Sequence, residues 1–357
     1  MADFRTLHEI VKRAKETLDQ GAWDYLIGGA DTESALRRNR AGVESWVFKP
    51  RILNDVSEVQ CSTQLLGSSL RIPVVMPPIG SIQAFEDNGA AGVAKAVQEF
   101  GILQILSSVC LPTFEDLAQQ VPGPRIYQLY LTGDQAWMDD IIARSIEAGY
   151  TGFCLTADTQ TYSRRERDIL KRYVPLSGRV AGGGDFKAQA TMSWDTVAHI
   201  KDTFDIPLII KGVAVAEDAR RCVEAGVDVV YVSNHGGRQL DHTRACIDAL
   251  PEVVRAVDRQ VPVLVDGGFM RGADVVKALC LGATAVGMGR FEALAVAAGG
   301  HQALLQALQI LEHEIKTTMA LAGVSRLDQL GPDLLTREAP LAPAHVLSAF
   351  PLLSEGY

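Results

Sequence analysis

The sequence lacks the features that define several common classes of protein. Its 357 residues contain no C-x-x-C pair, and the six cysteines are scattered, several of them inside apolar segments, which predicts buried free thiols rather than disulfides or a zinc site. The formal net charge is −9, so we expect no nucleic-acid partner. Basic residues cluster at 164–172, but that patch is local and compatible with a partly solvated helix.

A long uninterrupted apolar run is also missing. The longest uncharged segment, 293–311, is broken by Gly299, Gly300 and His301 and alternates like a soluble helix, so it predicts no membrane span. The first residues, from Met1 to Arg5, contain no apolar core of a secretory signal. We therefore expect a cytoplasmic protein with no membrane partner.

From residue 73 onward, short apolar runs alternate with amphipathic helical stretches. Eight such units predict a (β/α)8 TIM barrel. The alternative, a doubly wound open sheet, is disfavoured by the count of eight and by the lack of an early G-x-G-x-x-G motif. The predicted strands cover 74–77, 103–106, 125–129, 152–156, 207–210, 229–232, 263–265 and 285–288. The predicted helices include 90–100, 113–120, 135–148, 194–203, 216–225, 245–257 and 272–281.

The pattern predicts a single domain over 1–357. Helical spacing at 5–19, 23–26 and 32–40 predicts an N-terminal helical extension within 1–72, packed on the barrel of 73–300, with C-terminal helices and a tail at 301–357. The stretch 175–189 has four glycines and few large apolar residues, which favours a mobile loop within 173–192 and a candidate lid above the barrel mouth.

A histidine and an arginine follow the sixth predicted strand, in the run S-N-H-G-G-R-Q-L-D at 233–241. (β/α)8 enzymes place their chemistry where a strand gives way to its loop. A general base such as His235 beside a fixed cation such as Arg238 suits a substrate with a labile proton and a carboxylate. For these nine residues alone, the alternative is a glycine turn with two incidental polar side chains.

Polar side chains also end the other strands. Singly, Lys211 can pair with a nearby carboxylate, Asp158 can cap a helix and Tyr130 can belong to the core. Jointly these residues converge on one barrel mouth, as a site requires. The last two strands end in glycine turns that suit a phosphate held by backbone N–H groups. The strand-end residues are Ser107, Ser108, Gln128, Leu129, Tyr130, Thr156, Asp158, Lys211, Asp266, Gly267, Gly268, Gly289 and Arg290.

With these residues assembled, the chain resembles the FMN-dependent α-hydroxy acid oxidase and dehydrogenase family, which includes glycolate, lactate, mandelate and hydroxymandelate enzymes. The resemblance covers nearly the whole chain. It is carried by Asp24-Tyr25, Gly28-Gly29-Ala30, Lys49-Pro50-Arg51, Gln128-Leu129-Tyr130, Arg164-Arg165-Glu166, Lys211-Gly212, the run at 233–241 and Gly289-Arg290. It implies FMN as cofactor, an L-2-hydroxy acid oxidised to the 2-oxo acid, oxygen or another oxidant as electron acceptor, and a homotetramer.

The resemblance also implies roles for individual residues. His235 takes a proton from the substrate while N5 of FMN accepts the hydride, and Asp158 stabilises the imidazolium. Arg165 and Arg238 bind the substrate carboxylate with help from Tyr25, Tyr130 faces the reacting hydroxyl, and Lys211 lies beside the N1–C2 edge of the flavin. The implied cofactor contacts are Pro78, Ile79, Gly80, Ser107, Gln128, Thr156, Lys211, Ser233, Asp266, Gly267, Gly268, Met270, Arg271, Gly289 and Arg290.

The chain departs from the family pattern at several places. Val109 replaces a tryptophan, which implies a larger pocket and a bulky, mandelate-like substrate. Gly80 stands where many oxidases have alanine, which implies reduced reactivity with oxygen; rapid reoxidation by air would argue against it. Met270 replaces an arginine near the phosphate, and Arg271 is the candidate to compensate. The segment 85–90 also differs from the family's usual run.

Two other functions remain open at this point. A flavin enzyme with the same carboxylate ligands can catalyse oxidative decarboxylation or oxidise an amino-bearing substrate. A barrel that only binds flavin or a phosphate ligand, as a sensor or scaffold, is a different class. That class is disfavoured because His235, Asp158, Lys211 and both arginines are present together.

Overall fold

Eight parallel strands close into a barrel in the computed structural model, which describes residues 3–174 and 187–357. Consecutive barrel strands are hydrogen-bonded neighbours, and the eighth pairs with the first. The predicted TIM barrel is therefore confirmed. In chain order the barrel strands are Val74–Met76, Leu103–Ser107, Ile126–Leu129, Gly152–Thr156, Leu208–Val213, Val229–Val232, Val263–Val265 and Ala285–Gly287.

The barrel strands are almost entirely buried because helices cover their outer surface and side chains fill the interior. Such strands read as near-continuous runs of Val, Ile and Leu, which is why the sequence located all eight. Helices in the described residues span Leu7–Thr17, Gln20–Ile27, Ser34–Ser45, Gly89–Phe100, Phe114–Gln120, Gln135–Glu147, Glu166–Lys171, Lys187–Ala190, Trp194–Thr203, Ala216–Glu224, Cys246–Val257, Gly272–Cys280 and Gly289–Leu321.

The helical extension closes one side of the barrel mouth. Its first helix begins with a capping box between Thr6 and Glu9. Its third helix, Ser34–Ser45, is tied to the loop after the sixth strand, because Asn39 and Asn234 exchange two amide hydrogen bonds of 2.8 and 3.1 Å. Asp241 accepts from the backbone N–H of Ala35 at 2.7 Å. The extension thus holds the loop that carries His235.

The long C-terminal helix is one element by hydrogen bonding but has non-helical backbone angles at Gly299 and Gly300. Among the described residues it is the helix long and apolar enough to cross a membrane, and most of its apolar stretch is buried inside the protein. Its two halves pack against helices Leu7–Thr17, Gly89–Phe100 and Gly272–Cys280. This burial is typical of a core helix.

The structure differs from the sequence predictions at several elements. The fifth barrel strand runs on to Val213 through an irregularity between Lys211 and Val213, so Lys211 lies inside the strand rather than at its end. Two small antiparallel sheets were not predicted: a hairpin of Thr63–Leu65 and Ser68–Leu70, and a pair formed by Trp46–Phe48 and Leu335–Arg337. Of the predicted lid at 173–192, residues 175–186 lie outside the described residues.

The cysteines are free and buried at all six positions, each of which belongs to the described part of the chain, so that prediction is confirmed. Across residues 3–174 and 187–357, no group of three or more His, Cys, Asp or Glu side chains is arranged to hold a metal ion.

Candidate active site

A cavity of about 540 Å³ opens at the carboxyl ends of the barrel strands. We call it the central cavity; Tyr25, Tyr130, Arg165, His235 and Arg238 are among the residues that line it. These residues come from the extension, from three different strand-to-helix loops and from no single stretch of sequence. The structure therefore brings together the catalytic and substrate-binding residues predicted from the sequence.

His235 lies between a carboxylate and a phenol. Its Nδ1 is 3.1 Å from Oδ1 of Asp158, and its Nε2 is 3.1 Å from the hydroxyl of Tyr130. Because an ionised carboxylate only accepts, Nδ1 carries the proton and Nε2 is left with a lone pair that faces Tyr130 and the cavity. A base oriented by a carboxylate on its far side is the arrangement that general-base catalysis needs.

Burial, and then the positive charge of Lys211, hold the pKa of His235 below its usual value, against the opposing effect of Asp158. The imidazole is therefore neutral at pH 7 and able to accept a proton. Burial alone would raise the pKa of Asp158, but its interaction with His235 and the positive charge of Lys211 hold the pKa below its usual value, so the carboxylate stays ionised. Gly212 leaves room for the side chain of Asp158, since a Cβ at Gly212 would lie 2.7 Å from Cβ of Asp158.

The loop that carries His235 has a left-handed backbone at three consecutive residues. The φ angles are +58° at His235, +63° at Gly236 and +76° at Gly237. At Gly237 a Cβ would lie 2.5 Å from the backbone nitrogen of Leu36, so the extension packs directly on the glycine. The strained φ of His235 is held by a hydrogen bond of 3.0 Å from its own N–H to Oγ of Ser233.

Arg165 and Arg238 both line the central cavity. Arg238 donates to the carbonyls of Tyr25 and Gly28 at 2.6 and 2.9 Å and lies 4.8 Å from the Tyr25 ring centre. Burial, and then the neighbouring charge of Arg165, lower the pKa of Arg238. Two guanidinium groups that repel each other in a partly buried site favour an anionic ligand, and their planar geometry suits a carboxylate.

Asp168 and Tyr162 belong to this arginine site, although the sequence analysis did not single them out. Arg165 lies 4.6 Å from the ring centre of Tyr162. Burial raises the pKa of Asp168 against the effects of Arg238 and Arg165. The segment 162–168 reads as a charged turn and a short helix, and nothing in its spacing indicates which side chains point into the barrel mouth.

Lys211 belongs to a buried network that lines the central cavity. Its Nζ donates to Oγ of Ser233 at 2.9 Å, and Ser233 donates to Oδ1 of Asp266 at 2.7 Å. Burial alone would lower the pKa of Lys211, but Asp266 and Asp158 raise it, so the ammonium group is charged. Tyr231 lies beneath, with the lysine nitrogen 5.6 Å from its ring centre. A fixed cation here can stabilise negative charge on a group bound above it.

Orphaned buried polar atoms test whether this mouth fits FMN. Both amide atoms of Gln128 and the hydroxyl of Thr156 are buried, and they have no hydrogen-bond partner among residues 3–174 and 187–357. In the barrel register Gln128 pairs with Ser107, and Thr156 pairs with Lys211; Ser107 and Lys211 both line the cavity. Buried polar groups without a partner are rare in proteins. The free donors and acceptors of Gln128 and Thr156 therefore indicate that a polar heterocyclic ligand binds beside them. These residues fit a flavin ring.

The predicted phosphate end of the cavity is partly as expected. Gly267, Gly268, Gly289 and Arg290 line the cavity in the loops after the seventh and eighth strands, where barrels bind phosphate. Burial, and then Arg238, lower the pKa of Arg290 to about 9, which a phosphate would offset.

Arg271 is an exception, because it is not among the residues that line the central cavity in this structure. It pairs with Glu314, at 2.9 Å from Nε to Oε1, and its guanidinium lies 5.7 Å from the ring centre of Phe350. Met270 instead lines the cavity. The cation that the sequence analysis expected to replace the missing arginine is therefore paired with Glu314 and lies outside the central cavity.

Comparison with known proteins identifies the family. A model of FMN-dependent dehydrogenases matches residues 14–337. The chain belongs to this family. It is therefore an FMN-dependent oxidoreductase, and the expected family, enzyme class and cofactor are confirmed.

Individual relatives support this assignment. The chain is 38% identical over 342 residues to a peroxisomal (S)-2-hydroxy-acid oxidase of Oryza sativa subsp. japonica, covering 91% of this chain and 93% of that protein. It is 35% identical over 375 residues to glycolate oxidase 1 of Zea mays, covering 98% and 99%. A solved structure of mandelate oxidase is 32% identical with a TM-score of 0.88, covering 95% of this chain and 100% of that one. A soluble mutant of the membrane-associated (S)-mandelate dehydrogenase from Pseudomonas putida gives the same identity and TM-score, covering 94% and 100%.

Proposed function

We propose that the protein oxidises the L-enantiomer of a bulky or aryl 2-hydroxy acid, of the mandelate type, to the 2-oxo acid. The observation that carries the proposal is the neutral His235, held by Asp158 and Tyr130, in the same cavity as Arg165 and Arg238. A base and a carboxylate site in one cavity suit an acid whose hydroxyl lies beside its carboxylate. Curated relatives are 2-hydroxy-acid and glycolate oxidases, and structural neighbours include mandelate enzymes.

The protein's own groups bind and orient the substrate and move one proton. Arg165 and Arg238 hold the carboxylate, which fixes the adjacent hydroxyl near Tyr130 and His235. His235 accepts the proton at Nε2, and the charge that develops on the ring is stabilised by Asp158 at Nδ1. FMN, when bound, supplies the two-electron acceptor, with N5 as the expected position.

The size of the substrate follows from one residue of the cavity wall, Val109. It lines the central cavity in the loop after the second barrel strand. A valine leaves space that a large aromatic residue would fill, so the pocket accepts a phenyl group next to C2. Each CH₂ group buried in an apolar pocket gains on the order of fourfold, so the several carbons of a phenyl group should favour the larger acid by more than about tenfold over small acids.

The test is anaerobic reduction of the FMN-loaded enzyme by candidate acids, measured as the loss of flavin absorbance. We expect L-mandelate to reduce the flavin at least about tenfold more efficiently than glycolate or L-lactate. Faster reduction by glycolate or lactate would contradict the proposed substrate, and no reduction by any 2-hydroxy acid would favour a sensor or scaffold. Product analysis under argon and under air separates a 2-oxo acid from a decarboxylated product, and the rate of reoxidation in air tests the predicted effect of Gly80.

A further inference from the structure

The cavity that contains the candidate active site does not end at Val109. It continues between the third barrel strand and the two helices Phe114–Gln120 and Gln135–Glu147. We call this extension the side lobe; its walls include Cys110, Phe114, Tyr127, Trp137 and Ile141. Tyr127 alternates with Gln128 along the strand, so its ring points outward, where it lies 4.6 Å from the ring of Phe114.

The side lobe is apolar along its length and charged at its outer end. Ile141 and Phe114 are buried, and the thiol of Cys110 already donates a hydrogen bond of 2.9 Å to the carbonyl of Ser107. At the outer end Arg144 pairs with Glu115 and lies 5.4 Å from the ring centre of Phe114. The Arg144 side chain is 46% exposed, so the lobe reaches the protein surface there.

The proposed binding mode directs the side chain on C2 of a 2-hydroxy acid toward the side lobe. C2 carries a carboxylate, a hydroxyl, a hydrogen and a side chain. The arginines hold the carboxylate, Tyr130 and His235 hold the hydroxyl, and the hydrogen faces the cofactor. The side chain is then directed to the remaining wall, where Val109 leads into the side lobe.

We propose that the side lobe is the subsite for the substrate side chain and that it selects extended apolar 2-hydroxy acids. This proposal rests on the proposed function and narrows its substrate class to acids with an aryl group or an alkyl chain of several carbons beyond C2. Each CH₂ group that enters such a pocket should raise catalytic efficiency on the order of fourfold, until the lobe is filled. Acids with a charged far end should gain nothing, because Arg144 is already paired with Glu115 and Asp140.

The experiment compares L-2-hydroxy acids of increasing length, from lactate to 2-hydroxydecanoate, together with 3-phenyllactate. Anaerobic flavin reduction gives the efficiency for each acid, and calorimetric titration with the matching 2-oxo acids gives binding without turnover. Ile141→Trp places a large ring in the lobe. We expect it to lower the ratio of efficiency on 2-hydroxyoctanoate to that on lactate at least about tenfold, with a parallel loss of affinity for 2-oxooctanoate.

Ile146→Trp is the matched control, because Ile146 lies on the same helix, 38% exposed and away from the cavity. It should leave the ratio unchanged. Ile141→Ala, which enlarges the lobe, should shift the preferred chain length upward and keeps the test decisive if the tryptophan variant does not fold.

Two results would overturn the side-lobe proposal while leaving hydroxy-acid oxidation intact. One is a catalytic efficiency that does not change with chain length, and the other is a 2-hydroxyoctanoate-to-lactate efficiency ratio that neither Ile141→Trp nor Ile141→Ala alters. If none of the acids reduces the flavin, the proposed function itself is wrong. The two failures are therefore distinguishable.

Discussion

At the scale of single residues, the site is defined by how neighbouring charges set protonation. Lys211 and Asp158 act on His235 in opposite directions, and burial decides the balance in favour of the neutral ring. The same Lys211 helps to keep Asp158 ionised. His235 is thus neutral and able to accept a proton at neutral pH, and the positive charge that the ring would gain is balanced by the ionised Asp158.

Asp158→Asn should test this balance. Without the carboxylate, the protonated form of His235 loses its stabilising partner, so we expect flavin reduction to slow by roughly 10²- to 10⁴-fold. In the parent enzyme, efficiency should hold constant through neutral pH and fall only below pH 6.5, the usual pKa of histidine, because the pKa of His235 is lowered. Because Asp158 raises the pKa of His235, its removal should move that acid limb to still lower pH.

Asp139→Asn provides the control for this change. Asp139 also pairs with a histidine, His199, at 2.9 Å, but the pair is partly exposed and lies outside the central cavity. This variant should keep the parent rate and pH profile. An Asp158→Asn enzyme with an acid limb at the parent position would show that the carboxylate does not act on His235.

At the scale of elements, the sequence predicted what local patterns encode. Barrel strands that are buried on both faces produce continuous apolar runs, and strand ends carry the polar residues of the mouth, so the barrel and the set around His235 were predictable. The ion pair between Arg271 and Glu314 was not predictable, because Glu314 lies on a helix 43 residues further along the chain. The side lobe was not predictable either, since it depends on how two helices pack over the outward face of Tyr127.

The contact between the helical extension and the His235 loop gives an element-scale prediction. In Gly237→Ala the new methyl group would meet Leu36 at 2.5 Å and would also require a φ of +76°. We expect the loop to separate from the extension, with a loss of about 3 kcal/mol in the free energy of unfolding and slower flavin reduction. Denaturant unfolding and anaerobic reduction measure the two effects.

Gly149→Ala separates backbone strain from collision. Gly149 has a φ of +85°, but a Cβ there would meet nothing within 4 Å. Its substitution should cost only about 1–2 kcal/mol, the penalty of a left-handed alanine, and should leave flavin reduction unchanged. Equal losses for the two variants would mean that the extension does not constrain the loop.

At the scale of the whole molecule, one group of exposed apolar side chains lies beside the end of the long C-terminal helix. Ile52 and Leu53 are 81% and 98% exposed, and Leu321 at the end of the long helix is 74% exposed. A hydrogen bond of 3.2 Å from the Arg51 N–H to the Ala322 carbonyl brings these side chains to the same region. Adjacent exposed apolar side chains are typical of a subunit interface.

The cytoplasmic location stays a prediction.

This patch allows the expected homotetramer to be tested directly. Light scattering on the purified enzyme should give a molar mass equal to that of four chains of 38.5 kDa each. Replacing both Ile52 and Leu53 with lysine places two charges in a desolvated contact, so the double variant should dissociate into smaller species. Leu341→Lys, at a fully exposed position in the C-terminal tail, should not change the mass. A monomeric parent enzyme would rule out the tetramer, and a double variant that stays tetrameric would place the interface elsewhere.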